Sequence, residues 1–176
     1  FGLTALKELR RRLLDRLGDL AQSSAFRFLY LDTDPEASSV AVQDGGDASL
    51  REDQVFLVRL QPVTNYRRRM LDHLSEWLPR EKLYSIPRSL QTSGSRALGR
   101  LAFCDNYLRF DTRVSREIQV ASHPESLAQT IAQSGLTLRD NCPRICVIAA
   151  AAGGGSGMLV DIGFTLRRRL AKMQFN

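Results

Sequence analysis

An α/β domain in three layers, with a mostly parallel sheet, is the fold that this sequence predicts. Three observations predict it. Leucines at spacings of three and four open the chain, short apolar strand-like runs alternate with longer helix-like segments, and one of those runs leads directly into a glycine cluster and a last helix. Strands that alternate with helices pair in parallel and need helical crossovers on both faces.

The first helix is predicted from Leu6, Leu9, Leu13, Leu17 and Leu20, which share one helical stripe, with Gly18 weakening its end. A polar gap then leads to the aromatic-rich run Phe26-Arg27-Phe28-Leu29-Tyr30-Leu31, predicted as a strand and stopped by Asp32-Thr33-Asp34-Pro35. Residues 36–50 are small and polar, with Asp44-Gly45-Gly46-Asp47 as a turn, and predict a surface loop. Val55 to Leu60 is a second strand, and Thr64 to Leu78 a helix stopped by Pro79. A loop containing Pro87 and Thr92-Ser93-Gly94-Ser95 precedes a long helix from about Leu98 to Ala121. Another helix runs from about Pro124 to Ser134 and ends at Gly135. Arg144 to Ala150 is a continuous apolar run, as expected of a strand buried on both faces. Met158 to Lys172 is the last helix.

A length of 176 residues, 43% apolar and 25% charged, suits one domain with a sizeable core. It excludes a disordered chain and a collagen-like repeat. The longest apolar stretch, Ile145 to Ala152, is far shorter than a membrane span, and no secretory signal opens the chain. Cys104, Cys142 and Cys146 have no CxxC spacing and are expected as buried reduced thiols in the cytoplasm. The net charge of +6 favours anionic partners, but its arginine triplets (Arg10 to Arg12, Arg67 to Arg69, Arg167 to Arg169) each fall within a predicted helix and are expected on solvated outer faces. Interleaved aromatics are missing around them, so nucleic acid is an unlikely partner.

Chemistry concentrates at Gly153-Gly154-Gly155-Ser156-Gly157, between the buried run and the last helix. Open α/β sheets bind ligands at this edge, where glycines let backbone N–H groups approach an anion and the helix N-terminus adds partial positive charge. Neither a P-loop lysine nor G-x-G-x-x-G spacing is present. Ser156 offers a hydroxyl. Asp32 and Asp34 project from the same rim, where carboxylates suit Mg²⁺ but also suit turns closed by their own side chains. Ser93, Gly94 and Ser95 form a third polar turn before a helix, which an N-cap serine explains equally well. His73 and His123 read as solvated or structural, and no catalytic base stands out.

Together these segments resemble the tubulin/FtsZ superfamily, most closely the bacterial tubulin-like proteins. Gly153-Gly154-Gly155-Ser156-Gly157-Met158 is similar to the second part of the G-G-G-T-G-S-G signature, with Gly154 at the threonine and Ala152 at a glycine. Asp32-Thr33-Asp34 resembles an N-T-D loop that reaches towards the terminal phosphate and magnesium. Phe1-Gly2-Leu3 is similar to the end of the first glycine loop, and Thr92 to Arg96 falls at the third phosphate loop without its G-A-G pattern.

The resemblance implies a Rossmann-like GTPase-type domain over residues 1–176, incomplete, with its first strand and C-terminal part outside the chain. It implies GTP or GDP as ligand, with Mg²⁺ held through Asp34. The implied ligand-binding residues are Gly2, Asp32, Asp34, Ser93, Gly94, Ser95 and Gly153 to Gly157. It further implies head-to-tail homo-oligomers or filaments, in which hydrolysis needs regions past residue 176. A non-catalytic scaffold that retains the fold is the alternative. A Rossmann-like enzyme with another cofactor is a more distant possibility.

Overall fold

The computed structural model describes residues 1–175 apart from 44, 45, 47, 70, 136 and 138–141; for 20, 22, 67–69, 71 and 72 it describes the backbone alone. Helix α1 spans Gly2–Leu17 and is continued by a 3-10 turn, Gly18–Gln22. Strand β1 (Tyr30–Asp32) is followed by α2 (Pro35–Gln43) and β2 (Val55–Leu57). Then come α3 (Val63–Arg69), α4 (Leu71–Ser75), α5 (Arg80–Tyr84), α6 (Arg96–Ala121), α7 (Pro124–Ser134) and α8 (Gly154–Lys172).

The two strands pair in parallel, Tyr30 opposite Val55 and Asp32 opposite Leu57, with α2 as the crossover. Alternation along the strands separates two cores. Leu29, Leu31 and Phe56 face the larger one, built with α3 to α6 and α8 around Phe103, Phe110 and Met158. Phe28, Tyr30 and Val55 face a smaller one with α1 and the buried Ala41 of α2. Helices thus lie on both faces of the sheet, the three-layer arrangement expected.

Several expectations are corrected. The segment after Pro35 is a helix, because the Asp34 carboxylate caps it by accepting the Glu36 N–H (2.9 Å) and the hydroxyls of Ser38 and Ser39 return to backbone carbonyls four residues earlier. Its serine hydroxyls are therefore satisfied within the helix. Of the turn proposed at Asp44 to Asp47, residues 44, 45 and 47 lie outside the described residues, and Gly46 is an exposed bend. Among the described residues, strand pairing covers Tyr30–Asp32 and Val55–Leu57, shorter than the runs 26–31 and 55–60. The short α5 was not anticipated. The last helix begins four residues early, at Gly154, so most of the glycine cluster is its first turn.

The largest correction concerns 144–150, expected as a buried strand. It has no strand partner among the described residues, and Ile145, Val147 and Ile148 are 39%, 43% and 44% exposed. A cavity of about 850 Å³ separates it from β1, with the Leu6-Leu9-Leu13-Leu17 stripe of α1 on its wall. No residue of α1 is buried. The cysteines also depart from expectation, since Cys104 and Cys146 are exposed and Cys142 is only half-buried.

The arginine triplets are not uniformly solvated. Arg11 and Arg12 pair with Glu8 on the exposed face of α1, but Arg10 turns inward, donates to Gln54 (2.8 Å) and lies over the Phe28 ring. Arg169 reaches from α8 to Asp111 of α6 in a two-pronged pair. The side chains of Arg67 to Arg69 lie outside the described residues.

Glu117 on α6 holds the run into β1 in place: Arg27 Nε donates to one carboxylate oxygen (2.6 Å) and Arg113 Nε to the other (2.5 Å). Burial pushes this carboxyl up, but the two guanidinium hydrogen bonds outweigh it and the net shift is downward. A carboxylate depressed on folding stabilises above its ordinary range and loses that contribution as pH falls through its folded value. Glu117→Gln should therefore cost about 1–3 kcal/mol at pH 7. Thermal unfolding against pH should show the gap to wild type closing below about pH 4.

Candidate functional site

The candidate site is the place where the N-termini of α6 and α8 meet. Three glycines permit that approach. A Cβ on Gly99 would lie under 3.0 Å from the Gly154 carbonyl, one on Gly157 under 3.0 Å from the Arg96 carbonyl, and one on Gly154 would collide with the Thr92 hydroxyl. Gly154 and Gly157 are thus small because the backbone of α6 and the Thr92 side chain lie against them. Gly155 differs, having nothing within 4 Å of a Cβ position. It is exposed and opens into the cavity.

Gly153 precedes α8 with φ 93°, a conformation suited to glycine, and no side chain caps the helix. The N–H groups of its first turn are left for another acceptor. On α6 the cap is present: Ser95 Oγ accepts the Leu98 N–H at 3.4 Å. Ser93 (φ 44°) and Gly94 (φ 78°) form the left-handed turn before it, and the Gly94 carbonyl lies 4.0 Å from a Cβ position on Gly153. The two glycine turns therefore abut.

The loop after β1 is bonded to the same place. Thr33 Oγ1 and Thr92 Oγ1 are 3.1 Å apart, and the Thr92 N–H donates to Thr33 Oγ1 at 3.3 Å. Gln91 Nε2 donates to Asp34 Oδ1 at 2.9 Å. Asp32, Asp34, the 92–95 turn and Gly153 to Gly157 are thus gathered, as the sequence suggested. Gly2, Asp32, Thr33, Thr92, Gly154 and Gly155 all line the cavity, whereas Asp34, Ser93, Gly94 and Ser95 are not among its lining residues.

The carboxylates differ in what they have left. Asp32 Oδ1 accepts the N–H groups of Thr33 (2.7 Å) and Asp34 (3.0 Å), and Oδ2 accepts the Tyr30 hydroxyl. Burial, and then this bond to Asp32, hold the Tyr30 phenol above its ordinary pKa. Asp32 is consumed in shaping the turn. Asp34 uses Oδ1 twice, while Oδ2 has no hydrogen-bond donor among the described residues. Ser156 is buried and its hydroxyl donates to the Gly153 carbonyl (2.8 Å), so its proton stabilises the turn. Thr33 and Thr92 fall within the two loops singled out in the sequence, but their contact across 59 positions has no sequence signal. His73 and His123 are both exposed.

This geometry defines an α/β protein with two helix N-termini and an acidic turn converging at one sheet edge. The family model described as "Tubulin like" matches residues 1–176, and the chain belongs to that tubulin-like family. Neither the curated proteins nor the solved structures gave a match. Among the described residues, no helix is long and apolar enough to cross a membrane.

Gly157→Ala should lower stability by about 1–3 kcal/mol, because its methyl meets the rigid carbonyl of Arg96. Gly155→Ala, in open space within a helix, should be neutral or stabilising by up to about 1 kcal/mol. Chemical denaturation of both variants checks the contrast.

Proposed function

We propose that this is a cytoplasmic GTP-binding, self-associating member of its family, in which hydrolysis belongs to the complete, assembled protein. The observation that carries this reading is the uncapped first turn of α8 facing the cavity through Gly155, beside the turn before α6. The residues fit a nucleotide's phosphates. N–H groups at Gly154 and Gly155 would hold them, assisted by the backbone around Ser93, Gly94 and Ser95, and Gly2 would approach from α1. The open oxygen of Asp34 would hold Mg²⁺, directly or through water, and the ion would neutralise phosphate charge. Asp32, Gly153, Ser156 and Gly157 would shape the loops.

The scaffold alternative draws on one observation: the Asp32 carboxylate has both oxygens engaged. It is poorly placed to act as a base.

We also propose that the first strand, placed ahead of Phe1 by the resemblance, fills the cavity between β1 and 145–150. β1 and 145–150 both line the cavity, so a strand placed between them would lie in the plane of the sheet. Apolar walls around a void of this size are otherwise uncovered.

In the longest form of the protein, GTP should bind more tightly with Mg²⁺, and Gly155→Val should abolish binding without unfolding the chain, since its Cβ position is open. Nucleotide-dependent sedimentation should report assembly. A folded protein that binds neither GTP nor ATP contradicts the reading. Hydrogen exchange on the same protein checks the strand: amides of 145–150 should be protected as strongly as those of β1.

A further inference from the structure

We propose that the outer groove between α6 and α8 is a side-to-side interface with a second copy of this chain, formed about a two-fold axis that passes near Phe164. This goes beyond the nucleotide reading above, because it needs neither GTP nor the cavity beside β1.

The groove encloses about 380 Å³ and is lined by Cys104 and Tyr107 of α6 and by Asp161, Phe164 and Arg168 of α8. Its apolar surface is open. Phe164 is 69% exposed, as are Val160 one turn before it (62%) and Leu108 one turn after Cys104 (76%). Aromatic and aliphatic side chains bared together in this way mark an interaction site.

Charge names the occupant. Asp161 and Arg168 are about two turns apart on α8, with Phe164 between them on the same face. Each has room for a further partner. Asp161 Oδ2 accepts Arg100 Nε at 3.1 Å, but Oδ1 has no donor among the described residues. Arg168 has no carboxylate partner among the described residues, whereas its neighbour Arg169 is held by Asp111. A second α8 laid antiparallel across the first, with the axis at Phe164, sets Asp161 of each copy opposite Arg168 of the other. A two-fold interface must be self-complementary, and this stripe is. A groove built for an acidic or a basic peptide would instead carry one sign. Phe164 lies about 15 Å along α8 from Gly154, so this pairing leaves the start of the helix open.

Sedimentation of the longest form of the protein, without nucleotide or Mg²⁺, should show a monomer–dimer equilibrium that weakens as salt rises. Phe164→Ser should weaken dimerisation about tenfold or more, as loss of a central aromatic anchor does. Arg168→Asp and Asp161→Arg should each weaken self-association by a similar factor, because like charges then face each other. Mixed one to one, these two variants should associate again, since every charge then faces its opposite. Arg168 has no ion pair to lose among the described residues, so its variant should fold; if Asp161→Arg misfolds, Arg168→Asp and Phe164→Ser carry the test. A wild type that is monomeric at every concentration, a dimer that requires GTP, or one untouched by Phe164→Ser and Arg168→Asp overturns the proposal. So does a mixture of folded variants that stays apart. GTP binding by Phe164→Ser, measured alongside, shows whether the nucleotide reading stands when this interface fails.

Discussion

The contact on which this structure depends is between the backbones of α6 and α8 at their N-termini. Gly99 lies on the carbonyl of Gly154, and Gly157 on the carbonyl of Arg96. No side chain fits between them. The approach brings two helix N-termini to one point, and each adds partial positive charge to the same small volume. Like ends repel, so the arrangement needs support elsewhere. It comes from the apolar contacts of Phe103, Met158, Ile162 and Leu166, and from the Asp111–Arg169 pair further along the helices.

The other groups at the site follow from that contact. With α6 fixed against α8, the turn at 92–95 is held against the start of α8, and Thr92 lines the cavity and fills the space left by Gly154. Thr33 and Gln91 then bind the loop after β1 to the same turn. Glu117 performs a similar service lower on α6, where Arg27 ties down the run into the strand. Scaffold and site therefore share the same residues. Glycines that read as ligand-binding in the sequence divide by role, Gly154 and Gly157 for packing and Gly155 for open access.

Much of this was legible in the sequence. Pro124 and Gly135 mark the ends of α7, Ser95 caps α6, which starts two residues before the expected Leu98, and the alternating pattern predicts the three layers. Helix α2 was hidden because serines that suggest a loop are satisfied by their own helix. The apolar run 144–150 has strand composition, but composition does not supply a pairing partner. Arg10 and Arg169 look like their neighbours in the triplets, and only the location of Gln54 and Asp111 turns them inward. The Thr33–Thr92 contact was illegible for a related reason, since nothing local to either residue encodes the other.

The central claim is that the meeting point of α6 and α8 is an anion site. Backbone amide NMR during titration with tripolyphosphate tests it most directly. The account predicts saturable shifts at Gly154, Gly155 and the 92–95 turn, with smaller ones at Thr33. Shifts confined to the exposed arginines of α1 and α8, with those glycine amides unmoved, would contradict it.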